Sequence, residues 1–312
     1  MSKPFGFFIC RILEISLFCP KFGEMPKSIA VYFQKLIINW KTLIFCGIVF
    51  LLKTNLILAS GEPFPIGAKS WGIGNATVAL ADRNSVFNNP AGLGFLKENF
   101  VSTSYHARHN IAGLQTLSLS SNYNTKFINI GLSIERFGDK LYNEQKLGLA
   151  IGKSTNMISL GLKVSYFQAA IENFTSKNTL LTEFGVMTKL SSKVMIGFHA
   201  YNLTGAKLFA SQHIPTTLRL GISFTPTKQI LLVAEAEKNI ELPTLVKVGI
   251  EYQIVKNFYF RTGLSSKLNH AHFGFGFQSK QFIFDYALNS HSALGFSNHL
   301  SISYQIEKSS TK

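Results

Sequence analysis

The chain has 312 residues, with 28 phenylalanines, 24 glycines and charged residues at only 15%. A soluble globule of that size carries about 25% charged residues, so much of this surface faces something other than water. Net charge is +15, yet the basic residues are scattered singly, without the Lys/Arg runs or aromatic-basic motifs of a nucleic-acid-binding protein.

The first sixty residues read as a leader. Residues 42–52, TLIFCGIVFLL, form an apolar core preceded by Lys27, Lys35 and Lys41 and followed, beyond Lys53, by the small residues Ala59-Ser60-Gly61. A basic region, a short apolar core and a small-residue cleavage site make a secretory signal. A membrane-spanning helix needs about 20 apolar residues, and Lys53 interrupts this run. Phe45 before Cys46 and the apolar sequence after it disfavour a lipoprotein signal, and Met25 is an alternative start. Cys10, Cys19 and Cys46 all fall in the leader, so residues 61–312 hold no thiol nucleophile, disulfide or cysteine metal site.

Residues 61–98 are compact, apolar and glycine-rich, and NNPAG at 88–92 breaks them: proline removes a donor and fixes φ, while glycine loosens the chain. From residue 99 onward almost every segment alternates with period two. Fourteen strands are predicted, at 99–106, 114–123, 126–138, 144–153, 156–170, 179–190, 193–203, 215–225, 229–238, 244–254, 257–266, 271–279, 281–289 and 298–306. Turns of two or three residues follow the even strands. After the odd strands, mostly longer links are expected, at 139–143, 171–178, 204–214 and 290–297.

The polar face of these strands carries Glu135, Lys163, Glu183, Arg219, Glu235, Lys247, Glu251, Arg261 and Asp285. A soluble β protein would not bury that face, because unpaired buried charge is costly, nor display rows of Phe, Ile and Leu to water. Turning the apolar face to lipid and the polar face to a lumen resolves both. The strand lengths suit a bilayer and the even count suits a bacterial outer-membrane barrel. The expected architecture is an all-β, 14-stranded antiparallel transmembrane β-barrel with an N-terminal hatch in its lumen. The domains are then a leader (1–60), the hatch (61–98), the barrel (99–306) and a C-terminal tail (307–312). The hatch is expected to start at the periplasmic rim. Fourteen strands enclose more room than side chains alone fill, hence a plug or a channel.

The run from Gly67 to Asp82, GAKSWGIGNATVALAD, followed by Asn89-Pro90-Ala91-Gly92-Leu93, resembles the hatch of the FadL-like outer-membrane proteins, most closely their PorV/PorQ branch in Bacteroidetes. The chain has Lys69 where that family often has arginine, Ile73 for methionine, Arg83 for a second acid and Asn88 for tryptophan. The resemblance implies a fourteen-stranded plugged barrel in a Gram-negative outer membrane, reached by Sec-type export. No enzymatic activity and no cofactor are expected, because no catalytic constellation stands out among the polar residues. The PorV/PorQ likeness implies service in type IX protein secretion, with secreted cargo or secretion-system proteins as partners. FadL members instead carry long-chain fatty acids and other hydrophobic small molecules.

Candidate functional residues fall into two groups. The hatch motif, Gly72, Gly74, Asn88, Asn89, Pro90, Ala91 and Gly92, is either a hinge or ligand pocket, or a turn that Asn88 or Asn89 caps and Pro90 starts. The lumen charges Glu135, Lys163, Arg219, Glu235, Lys247, Glu251, Arg261 and Asp285 form a selectivity path, or pair across neighbouring strands. Gly72-x-Gly74 lacks the strand–loop–helix unit of a dinucleotide site. His270, His272, His106 and His109 read as loop or lumen histidines, because no acid or cysteine completes a metal set. No nucleophile elbow occurs. Strand glycines such as Gly131, Gly161 and Gly249 permit a wall kink or make room for the plug.

Overall fold

A computed structural model describes residues 61–209, 212–266, 270–291 and 294–306; the predicted leader and tail lie outside the described residues. Among these, fourteen strands close into one antiparallel barrel. They are β1 (Asn99–Ala107), β2 (Gln115–Asn124), β3 (Asn129–Gly138), β4 (Tyr142–Thr155), β5 (Ile158–Ile171), β6 (Thr175–Lys189) and β7 (Val194–Tyr201). After a hairpin of two short strands, β8 (Lys207–Phe209) and β9 (Gln212–His213), come β10 (Thr217–Thr227), β11 (Ile230–Asn239), β12 (Leu245–Val255), β13 (Phe258–Ser265), β14 (His270–Gln278), β15 (Phe282–His291) and β16 (Gly295–Ile306). Each barrel strand pairs with its chain neighbours, and β1 closes the ring against β16 from Asn99↔Ile306 to Ala107↔Asn298. Closure leaves no edge whose backbone groups would lie unpaired in hydrocarbon.

Period two sets which face each residue takes. In β12, Val246, Val248, Ile250 and Tyr252 are 43–51% exposed on the outer wall, while Lys247 and Glu251 between them are 5% and 9% exposed. The same inversion, apolar outside and polar inside, holds around the wall. Near the end where β1 starts and β16 finishes, aromatic rings pair on the outer surface: Phe258 with Phe277, and Phe282 with Tyr304. Such rings mark the interfacial girdle of membrane barrels. Ile250, midway along β12, tests the lipid-facing assignment. Ile250→Arg is expected to cost about 2–4 kcal/mol, read as a lower denaturant midpoint of the refolded barrel in lipid vesicles, whereas a water-facing position would tolerate the change.

The end holding Asn99 and Ile306 is here the near end. Its turns are short: 156–157, 228–229 and 256–257 link their strands directly, and Asn156 and Asn257 supply the left-handed backbone that tight turns need (φ 52° and 74°). At the far end the sequence expectation needs correction. The links 139–143, 171–178 and 290–297 contract to 139–141, 172–174 and 292–294, because β4, β5 and β6 run on as 14-, 14- and 15-residue strands and β16 begins at Gly295. These polar extensions pair with one another beyond the length a bilayer requires, and their mixed composition hid them. The connection 202–216 is the long one, and it contains the β8–β9 hairpin.

Residues 61–98 lie within the ring. They hold two short helices, α1 (Ala68–Gly72) and α2 (Ser85–Asn88), and a 3₁₀ turn at Pro90–Phe95. The buried apolar core sits between this plug and the inner wall: Ile73, Ala76 and Leu80 with Val233; Trp71 and Ala68 with Ala287; Val86 and Leu93 with Ala150.

Candidate functional site: the plugged lumen

The plug makes a circuit of the inner wall, meeting the strands in roughly reverse order. The amide of Ala68 donates to Ser301 Oγ on β16 (2.7 Å), and α1 lies against β13 to β16. The amides of Thr77 and Val78 both donate to Glu235 Oε2 on β11, at 2.7 and 2.8 Å. Ala79 O accepts from Ser223 on β10, Ala91 O from Ser159 on β5, and Gly94 O from Ser154 on β4. Leu93 O accepts from Asn129 on β3 (2.5 Å), and Asn122 on β2 donates to Glu98 O. Plug backbone groups thus find partners on wall side chains, as buried backbone must.

A belt of glycines lets the plug come that close. Gly274, Gly263, Gly249, Gly221, Gly197, Gly185, Gly161, Gly152 and Gly131 stand one each on β14, β13, β12, β10, β7, β6, β5, β4 and β3. A Cβ added at any of them would lie within 3.0 Å of a heavy atom, in most cases of the plug. At Gly161 it would lie 2.2 Å from Pro90 C and Ala91 N, at Gly249 2.2 Å from Ile73 O, and at Gly131 2.8 Å from Val86 Cγ2. Of the two expectations for strand glycines, the structure has close approach of the plug.

The hatch-motif residues are part of this seam. Asn89 caps the 3₁₀ turn: its Oδ1 accepts from Ala91 N (3.1 Å), Pro90 takes the first position, and its Nδ2 donates to Val78 O (2.7 Å) and Phe198 O (3.2 Å). Asn88 Oδ1 accepts from Ile66 N (3.0 Å), and its Nδ2 donates to Ile66 O and Ser70 Oγ, tying the two halves of the plug together. Pro90 and Ala91 are buried over Gly161, and Gly92 faces Ser85, whose Oγ would be 2.3 Å from an added Cβ. Gly74 has φ +70° and abuts Gly263; Gly72 packs on Arg261 and Gly274.

Seven of the eight lumen charges have an oppositely charged side chain within 4.0 Å, and Arg219 has none among the described residues. Across directly opposed positions, Lys163 meets Glu183 (3.0 Å), Lys247 meets Glu235 (3.0 Å), Arg261 meets Glu251 (2.5 Å) and Lys146 meets Glu135 (3.4 Å). Arg261 also reaches Asp285 (2.7 Å), two strands away. Arg219 donates to Asn88 O (2.7 Å) and lies 2.7 Å from His199 Nδ1, while His199 Nε2 is 3.0 Å from Glu183. The plug joins this network through Arg83, bonded to Asp285, and Lys69, 3.4 Å from Glu251 and 3.9 Å from Asp82. Lys69, Arg83 and Asn88 are departures from the hatch pattern, and all three bind wall or plug partners. Lys247 also reaches Glu237 on β11 (2.5 Å), and sequence reasoning did not foresee Lys69, Arg83, Lys146, Glu237 or His199 as members. Position on the inward face was the available signal for the wall residues; only spatial register supplies the partner.

Two further features line the far half of the lumen. Phe167, Leu181 and Tyr201 form an apolar cluster with Leu208 and Ile214 of the 202–216 connection. On the opposite wall, His106 and His299 stack at 3.8 Å, and Trp71 of α1 stacks on His299 at 4.0 Å. Beside them is a cavity of about 10 Å³ lined by Phe64, Ser104, Thr116 and Ser118, room for about one water. His106 and His272 are lumen residues, as expected, and His109 lies in the β1–β2 connection. Gly61, expected at the periplasmic rim, is instead at the far end, bonded to Glu144 at the start of β4 and to Tyr201 at the end of β7. The plug therefore descends from far end to near end before entering β1.

No protein-family model matches the chain, and no curated protein matches it in sequence. Solved structures do. The crystal structure of the Pseudomonas putida toluene transporter TodX covers 80% of this chain and 100% of its own, with TM-score 0.58 and 13% identity. The chain has the TodX fold. A ΔS2S3 variant of TodX, a monoaromatic hydrocarbon channel, aligns over 77% of this chain and 98% of its own, with TM-score 0.54 and 14% identity. That likeness of fold agrees with the FadL-like barrel expected from the hatch motif.

Proposed function

We propose that this protein is a non-enzymatic outer-membrane channel for hydrophobic small molecules, stoppered by its plug. The observation that carries the reading is a plugged fourteen-strand lumen of TodX fold with an apolar cluster, Phe167, Leu181, Tyr201, Leu208 and Ile214, at its far mouth. With the short turns periplasmic and the far end outside, an apolar solute enters from the end where that buried cluster closes the lumen. Passage then requires the plug to loosen, which breaks its hydrogen bonds and ion pairs to the wall as well as its apolar contacts. Toluene and monoaromatic hydrocarbons are what the similar structures carry by name; long-chain fatty acids are the other candidate class.

The test is uptake of labelled toluene and of a labelled long-chain fatty acid by a Gram-negative host lacking its own hydrophobic-solute channels. Expression is expected to raise uptake of at least one several-fold, and Leu181→Glu to abolish the gain while the barrel still forms. Uptake equal to the empty host for both solutes sinks the channel reading. The PorV/PorQ resemblance of the hatch supports a second reading, attachment of secreted proteins through the far-end connections. Deletion in the native host separates the two: secreted cargo accumulating in the periplasm favours attachment, and unchanged secretion removes it.

A further inference from the structure

Five acids of the described residues are buried: Glu144, Glu183, Glu235, Glu251 and Asp285. The last four each have a Lys or Arg within 4.0 Å. Glu144, 8% exposed, has no cationic side chain at that distance among the described residues. Its Oε1 accepts instead from Tyr142 Oη (2.8 Å) and from the backbone nitrogen of Gly61 (3.1 Å). Gly61 is itself buried, its carbonyl accepts from Tyr201 Oη (3.0 Å), and its φ is +73°. A Cβ there would lie 3.0 Å from Ile214 Cγ2, so both conformation and space call for glycine.

Glu144 thus faces two neutral donors, while Arg108 and Lys146 act on it from beyond 4.0 Å, and a buried carboxylate so placed is less well compensated than one in a direct ion pair. The leader ends in Ala59-Ser60-Gly61, and cleavage there converts an amide into an amine. We propose that the leader is cut between Ser60 and Gly61, and that the new α-ammonium of Gly61 forms a buried ion pair with Glu144. This pair fastens the start of the plug at the far mouth. In the cut, a leader-cleaving protease adds water across the peptide bond: the C–N bond breaks, Ser60 leaves as a carboxylate, and the Gly61 nitrogen takes up protons to become the ammonium. Cleavage one bond earlier puts the charge a residue away, about 3.3–3.6 Å along an extended chain, and keeps Gly61 an amide. Cleavage one bond later removes Gly61 with its bonds to Glu144 and Tyr201. The latch thus rests on the signal-peptide reading of residues 1–60 and is independent of what the barrel transports.

The full-length chain, expressed with its own leader in a Gram-negative host and purified from the outer membrane, is read by N-terminal sequencing and intact mass. The expected terminus is Gly61; Ser60, Glu62 or an uncut leader overturns the inference. A second measurement follows the reactivity of the α-amine with an acylating reagent across pH 7–10. A free α-amino group titrates near 7.7–8.0, and pairing with Glu144 keeps it protonated to higher pH, so labelling of the folded protein is expected to begin at least one unit above that of the denaturant-unfolded chain. Glu144→Gln is expected to label at least tenfold faster than wild type at pH 8. Equal onset in folded and unfolded protein, or equal rates in wild type and E144Q, overturns the latch even if the terminus is Gly61.

Discussion

Asp285→Ala is expected to lower the stability of the folded protein by about 3–5 kcal/mol, because removing one partner of a buried ion pair strands the other. Asp285 has a fully buried side chain bonded to both Arg83 of the plug and Arg261 of the wall. Arg261 keeps Glu251 after the change, whereas Arg83 loses its one ion pair among the described residues. The loss therefore concentrates on the attachment of the plug. Limited proteolysis and the denaturant midpoint in detergent read the two parts separately. The double variant Asp285→Ala, Arg83→Met is expected to recover part of the loss, because contacting residues are not additive. If the single and double variants are equally destabilised, the Arg83–Asp285 contact is not what holds the plug.

Gly161→Val is expected to detach the plug while leaving the barrel intact. Valine suits a strand better than glycine, so β5 itself should gain. Its Cβ, however, would fall 2.2 Å from Pro90 C and Ala91 N, and both are backbone atoms that no rotamer change can move. Overpacking costs about 1–3 kcal/mol where side chains absorb it; backbone against backbone, the upper end of that range or more is expected. Heat-modifiable migration, which reports the barrel, should persist in Gly161→Val. Influx of a large polar antibiotic, which reports an open lumen, should rise several-fold, and less in Gly161→Ala. A valine variant as impermeable as wild type would show that the plug does not need the glycine at this height.

Strand existence and facing were legible in the chain because period two is a local property. Val246, Val248 and Ile250 against Lys247 and Glu251 needed no third dimension. Register was not local. That Arg261 would meet both Glu251 and Asp285, and that Asp285 would also take Arg83 from a plug two hundred residues away, depends on how strands are staggered and on where the plug lies. The far-end connections misled for a different reason: Asn143 and Thr175–Asn178 are polar on both faces, so they carry no alternation, yet they pair as strand extensions. The hatch motif was legible as a non-strand, apolar insert. Its route was not, since nothing in GAKSWGIGN indicates that Gly61 sits at the far mouth.

The circuit of the plug bears on what the inner wall is shaped to enclose. Residues 61–98 precede β1 in the chain, yet they touch strands from β2 to β16. The ring is closed by β16 on β1, at the seam from Asn99↔Ile306 to Ala107↔Asn298. Nine of the fourteen wall strands offer the interior bare backbone at glycine rather than side chains that could fill it, so a ring closed without the plug would have a gap along those nine. The wall is a mould for this one segment, and a lumen emptied of it would be left lined by hollows that no wall side chain reaches.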